Sequence, residues 1–155
     1  MTPRGYAVLK AELKDLKGQR PELAKAIEIA RAHGDLSENA DYDAAKNKSG
    51  LTEAKIRDVE ARLSLAEVLD PSSITDTSKV VFGCTVELED LDSGDSKKIS
   101  IYGSGESDVS KGWLSFESPM AKALIGKEEG DVAKVQVPGG LREFEIMKIY
   151  VDYKD

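Results

Sequence analysis

His33-Gly34-Asp35-Leu36-Ser37-Glu38-Asn39-Ala40-Asp41-Tyr42 stands between two long runs that repeat apolar residues at helical spacing. Upstream, Leu9, Leu13, Leu16, Leu23, Ile27 and Ala30 step by alternating fours and threes, with Arg20 at the one position the series misses. Downstream, Ala45, Ser49, Thr52, Ile56, Val59, Leu63 and Ala66 do the same, weakly near Ser49 and Thr52 and strongly from Ile56 onward. Such steps put the apolar side chains on one stripe of a helix, with heptad-like coiled-coil spacing. Two striped helices joined by a short turn bury each other's stripe as an antiparallel hairpin. Thr2-Pro3 predicts the start, with Thr2 as cap and Pro3 in the first turn. Pro21 has no amide to donate and crowds the preceding turn, so a kink or restart is predicted near residues 18–21. Asp70-Pro71-Ser72-Ser73 reads as the stop. A helix of about 30 residues reaches roughly 45 Å, which makes the hairpin a probe more than a core element.

From Val80 the period changes. Phe82, Cys84, Val86 and Leu88 alternate with Gly83, Thr85, Glu87 and Glu89, the pattern of a half-buried strand. Asp92-Ser93-Gly94-Asp95 reads as a turn, and Ile99 and Ile101 mark the next strand. Trp113-Leu114-Ser115-Phe116 is a third strand candidate. Residues 118–126 predict a short helix, capped by Ser118 and stopped by Gly126. Residues 132–137, the turn Pro138-Gly139-Gly140, and Phe144, Ile146 and Ile149 read as a closing hairpin. The fold class is therefore α+β. A helical hairpin (about residues 1–75) precedes a small, mainly antiparallel sheet domain (about residues 80–155), with the boundary near residues 70–79.

Composition narrows the function classes. A chain of 155 residues with 40% apolar and 33% charged side chains is soluble and globular, one compact domain or two small ones. No apolar run of about 18 residues exists, which excludes a membrane helix. The first residues, Met1-Thr2-Pro3-Arg4-Gly5-Tyr6, lack an apolar signal core, so a cytoplasmic location is expected. Cys84 is the single cysteine, so there is no internal disulfide; a small buried side chain and a reactive thiol are the two readings for it. The net charge of −7 is uneven: residues 1–70 hold 13 acidic and 12 basic side chains, the remainder 16 and 10. Contact with RNA or DNA should thus come from the first half or through a protein partner. His33, the single histidine, has no cysteine near it and forms no zinc site; a packing or hydrogen-bonding role is expected. The aromatic residues are scattered rather than gathered into a stacking platform.

The acidic turn admits two physical readings. Asp35-Leu36-Ser37-Glu38 matches a capping box, with Gly34 ending the first helix in a left-handed conformation, and acids at a helix start also favour the macrodipole. Capping, however, needs one or two carboxylates. Asp35, Glu38, Asp41 and Asp43 crowd within nine residues and repel one another, as expected of a tip that delivers carboxylates to a metal ion.

The residues also resemble a known family, the bacterial Gre transcript cleavage factors, and within it the A-type branch. The resemblance runs through Arg4-Gly5, Arg20-Pro21, the tip from Ala30 to Tyr42 and Ala44-Ala45-Lys46. It continues through Val81-Phe82-Gly83, Ser118-Pro119, Ala123-Leu124-Ile125-Gly126-Lys127, Pro138-Gly139-Gly140 and Phe144-Glu145-Ile146. It implies that the hairpin enters the secondary channel of bacterial RNA polymerase. There, Asp35 and Glu38 help hold a second Mg²⁺ shared with the polymerase, whose own active site cleaves backtracked RNA. Asp41 and Tyr42 are expected to support them by orienting water or the RNA 3′ end. The resemblance further implies a basic spot for that RNA end at Arg31, Lys46 and Lys48, and an FKBP-like second domain that docks on the channel rim through Ser118, Pro119 and Met120. The expectation is an accessory factor acting as a monomer, not an enzyme, and with no metal of its own. The chemistry is coherent, because Mg²⁺ keeps several waters and takes one or two carboxylates.

Two positions depart from the pattern: Ser37 replaces a frequent basic residue, and Asp43 a frequent histidine. Both make the tip more negative. That leaves a channel-blocking inhibitor of the same shape as the nearest rival, although the intact Asp35 and Glu38 favour a cleavage factor. A prolyl isomerase or chaperone is a rival from another class. It would need a concave aromatic pocket to which Phe82, Trp113, Phe116 and Phe144 could contribute, with core packing as their alternative role.

Overall fold

The computed structural model describes residues 1–33 and 40–154. By internal contacts the chain divides into Tyr6–Ala66 and a second unit made of Met1–Gly5 with Glu67–Asp155.

The first unit is the helical hairpin. Helix α1 spans Pro3–Gly18, α2 spans Arg20–Arg31 and α3 spans Ala40–Leu65. The restart expected at Pro21 is present: α1 stops at Gly18 and α2 begins two residues later, with Pro21 in its first turn. The Gln19 amide donates back to the Leu16 carbonyl (3.2 Å), and the Leu23 amide donates to Gln19 (3.0 Å). The apolar stripes are the buried ones. Leu9, Leu16, Leu23 and Ala30 are buried on α1 and α2, as are Thr52, Ile56 and Val59 on α3. Each fully buried Leu or Ile contributes about 1.5–3 kcal/mol. Arg20, at the gap in the stripe, is exposed and reaches Glu53 on α3 with two hydrogen bonds of 2.8 and 3.0 Å. Lys17 meets Glu60 at 2.9 Å. These ion pairs lie in water and add little.

The second unit is a five-stranded sheet. Its strands are β1 (Thr85–Asp90), β2 (Ser96–Tyr102), β3 (Trp113–Ser115), β4 (Val132–Val137) and β5 (Gly140–Tyr150). Their spatial order is β3-β2-β1-β5-β4. All neighbours pair antiparallel except β2 and β3, which run parallel. The chain makes that crossover through a short 3₁₀ turn, Val109–Lys111, which ends at Gly112 with φ of 74°. A Cβ at Gly112 would strike the Lys98 carbonyl, so glycine is required on both counts. Helix α4 (Pro119–Leu124) starts at Ser118, whose hydroxyl accepts from the Ala121 amide at 3.2 Å. The core joins Val86 and Leu88 of β1, Ile101 of β2, Leu124 of α4, Val135 of β4 and Phe144 and Ile146 of β5. β1 lies in the middle of the sheet, so the polar-out alternation expected for it fails at Thr85, which is fully buried and bonded to Ser100 Oγ at 2.7 Å.

Two features were not expected from the sequence. Helix α3 ends at Leu65, five residues before Asp70. Beyond it the chain leaves the helical path to meet the first residue: the Met1 amine donates to the Glu67 carbonyl (3.1 Å), and the Leu69 amide donates to the Met1 carbonyl (2.9 Å). The first five residues are likewise fastened within this unit. Thr2 caps α1, its hydroxyl accepting from the Gly5 amide (3.1 Å), and it also donates to the Glu106 carboxylate through its own amide and hydroxyl. Arg4 lies 3.9 Å from the Trp113 ring centre, 4.9 Å from that of Tyr153 and 5.0 Å from that of Tyr102. Its amide donates to the Tyr153 hydroxyl (2.9 Å) and its guanidinium to the Lys154 carbonyl (2.6 Å).

Candidate functional site

Helices α2 and α3 flank the acidic segment of the sequence. Arg31 is the last residue of α2; the Ala32 amide still bonds the Glu28 carbonyl (3.1 Å) and the His33 amide bonds Ala30 (3.2 Å). Arg31 and His33 are exposed. Asp35 and Glu38 lie outside the described residues. Helix α3 resumes at Ala40 with Asp41 and Asp43 in its first turn, both exposed. There they face the positive end of the helix, where a carboxylate is favoured by about 0.3–1 kcal/mol.

Tyr42 sits between those acids and is half-buried. Two of the three expected basic residues converge on its ring. The Lys46 ammonium lies 5.3 Å from the ring centre and the Arg31 guanidinium 6.0 Å. Tyr42 and Lys46 are four apart on α3 and share a face, whereas Arg31 comes from the other arm. Lys48 is exposed and two residues further along, so it leaves the helix about 200° round from Lys46. The sequence signal for this grouping was the four-residue spacing of Tyr42 and Lys46; nothing local pointed to Arg31. Among the described residues, no three His, Cys, Asp or Glu side chains gather as metal ligands.

Ser118, Pro119 and Met120 open α4 in the other unit. Ser118 is occupied as the helix cap, Pro119 is exposed, and Met120 is half-buried against the core. Met120 also lines a groove of ≈ 700 Å³ with Lys97, Lys98, Val109, Lys111 and Trp113. The four aromatics considered for an isomerase pocket are engaged in other contacts. Phe144 is 2% exposed in the core, Phe82 and Phe116 meet edge to face at 5.9 Å, and Trp113 is stacked on Arg4. No described helix is long and apolar enough to cross a membrane.

Comparison with known proteins shows the family. Residues 1–68 match the family model described as "Transcription elongation factor, N-terminal", and residues 75–151 match "Transcription elongation factor, GreA/GreB, C-term". The chain is 51% identical over 150 residues to "Transcription elongation factor GreA" of Verminephrobacter eiseniae, covering 96% of this chain and 95% of the relative. It is 49% identical, with the same coverage, to the protein of that name from Neisseria meningitidis serogroup A. Among solved structures it is similar to the GreA factor homolog 1 protein of Thermus thermophilus, at 31% identity, 97% coverage of each chain and a TM-score of 0.43.

Proposed function

The chain belongs to the GreA/GreB family of transcription elongation factors, and on that premise we propose that its hairpin enters the secondary channel of bacterial RNA polymerase and stimulates the polymerase's own cleavage of backtracked RNA. The protein is then an accessory factor, and the bonds are broken in its partner's active site. The observation that supports this reading is that Asp41 and Asp43 stand exposed in the first turn of α3, directly after the acidic segment of the sequence. At 26 residues, α3 alone is about 39 Å long, enough to carry a side chain well away from the helix root.

Asp35 and Glu38 are hard oxygen donors, the type that Mg²⁺ accepts. A protein that offers one or two such groups cannot enclose the ion, so the fit is to a metal shared with the polymerase. When bound, that ion stabilises the attacking water and the leaving oxygen of the phosphodiester. Asp35 and Glu38 hold it, Asp41 and Tyr42 support them, and Arg31 and Lys46 receive the phosphates of the extruded 3′ end, with Lys48 on their outer side. The sheet unit takes the FKBP-like role of a dock on the channel rim, through Ser118, Pro119 and Met120. The exposed Pro119 and the groove beside Met120 support that assignment.

The test is direct. Added as a monomer with Mg²⁺ to a stalled, backtracked elongation complex, the protein should release short RNA fragments that carry the 3′ end. Slowed transcription with no fragment would make it a channel blocker and overturn the proposal.

A further inference from the structure

We propose that Tyr42 is a positioning residue, whose ring gathers the Arg31 guanidinium and the Lys46 ammonium into a paired cationic seat for an RNA phosphate. This rests on the reading that the backtracked RNA end meets the hairpin beside the acidic turn. Arg31 ends α2 and Lys46 lies in the second turn of α3, so two different arms supply the charges. Both point at one ring, at 6.0 and 5.3 Å from its centre. An aromatic face attracts cations through its quadrupole at such distances. Lys46 lies over that ring although Asp43, three residues earlier, stands at a spacing suited to an ion pair.

The consequence is geometric. Two exposed, like-charged, flexible side chains would otherwise repel and spread, and each would lose rotamer freedom on meeting RNA. A rigid ring that both cations contact removes part of that loss before the RNA arrives. The planar guanidinium matches a phosphate in two-point fashion, and the ammonium adds a point charge. A ring already engaged by cations is not a base-stacking platform, so the phosphate, not the base, is the group recognised.

The experiment uses the full-length protein on a backtracked elongation complex whose RNA carries a photoreactive 3′ nucleotide. Tyr42→Phe, Tyr42→Leu and the double variant Arg31→Ala/Lys46→Ala are compared for RNA crosslinking and, in the same samples, for polymerase affinity. Helix content by circular dichroism and the ring-current shift of the Lys46 ε-methylene protons are read on the free proteins. The seat predicts that Tyr42→Phe keeps both the shift and the crosslink. Tyr42→Leu, similar in apolar bulk but without a π face, should lose the shift and crosslink about two- to fivefold less, with helix content and polymerase affinity unchanged. Wild-type crosslinking by Tyr42→Leu, alongside a weakened double variant, would overturn the positioning role while leaving the RNA reading in place. A Tyr42→Phe variant as impaired as Tyr42→Leu would also overturn it, because the hydroxyl rather than the ring would then be at work. Wild-type crosslinking by the double variant, at unchanged polymerase affinity, would remove the RNA reading itself and the seat with it.

Discussion

Residues Tyr6–Ala66 and the unit built on the sheet hold together in different ways. In the hairpin one narrow stripe is buried, Leu16, Leu23, Ile56 and Val59 among it, and most other side chains meet solvent. In the sheet unit β1, β2, β4, β5 and α4 close over one core in which Val80, Cys84, Val86, Ile101, Ala121, Leu124 and Ala133 are fully buried. A stripe leaves most of a helix surface free to carry charge, which is what a probe with an acidic end requires. A sealed core instead holds the strands and α4 in one fixed arrangement. The difference teaches where stability and chemistry are divided in this chain.

The largest effect that tests the contrast lies in the sheet. Phe144→Ala removes a ring that is 2% exposed and should lower the unfolding free energy by about 3–5 kcal/mol, read from urea denaturation. A loss near 1 kcal/mol would mean that the core is not the tight one described. Ile56→Ala, at 1% exposure on α3, should cost about 2 kcal/mol, the low end for such changes, because a two-helix stripe can close over the gap. Hydrogen exchange should quicken in α2 and α3 and stay unchanged in β1 and β5; equal quickening in both units would erase the distinction.

Arg4→Ala comes next. It removes a cation held among three rings, worth about 2 kcal/mol, and should free the Met1–Gly5 segment to exchange and to proteolysis without loosening the hairpin tip. The smallest effect appears only in acid. The Asp90 carboxylate is 2% exposed. The Asp92 amide first, then the Ser93 amide and Arg142 at 2.8 Å, hold its pKa below the ordinary value against the opposing effect of burial. An unfolded chain takes up that proton near pH 4. The contribution is therefore fully present above about pH 4 and is lost as pH falls through the depressed folded value. Melting curves between pH 7 and pH 3 should fall more steeply for the wild type than for Asp90→Asn; parallel curves would show that the carboxylate is not held charged by the fold.

The hairpin was the more legible of the two units, because its signals are local. The steps from Leu9 to Ala30 and from Ala45 to Ala66, and the break at Pro21, each reported a helix face or an end without reference to anything distant. The strands were legible for the same reason, down to the Ser118 cap. What could not be read depends on partners far along the chain. Helix α3 stops at Leu65 because Met1 is waiting for Glu67 and Leu69. Nothing local to Arg4 announces that Tyr102, Trp113 and Tyr153 surround it. The parallel pairing of β2 with β3 follows from a crossover that alternation cannot reveal. At the site, the Tyr42 and Lys46 pair was open to inspection, whereas Arg31 joined it only through hairpin closure.

The central claim is that carboxylates carried on the hairpin complete a reaction centre in another protein. The measurement that bears on it most directly is stimulated RNA cleavage in a stalled elongation complex, followed across a Mg²⁺ titration with wild type and Asp35→Asn. Wild type should lower the Mg²⁺ concentration needed for cleavage, and Asp35→Asn should bind the polymerase with similar affinity yet bring cleavage back to the factor-free rate. Undiminished cleavage by Asp35→Asn at every Mg²⁺ concentration would contradict the account.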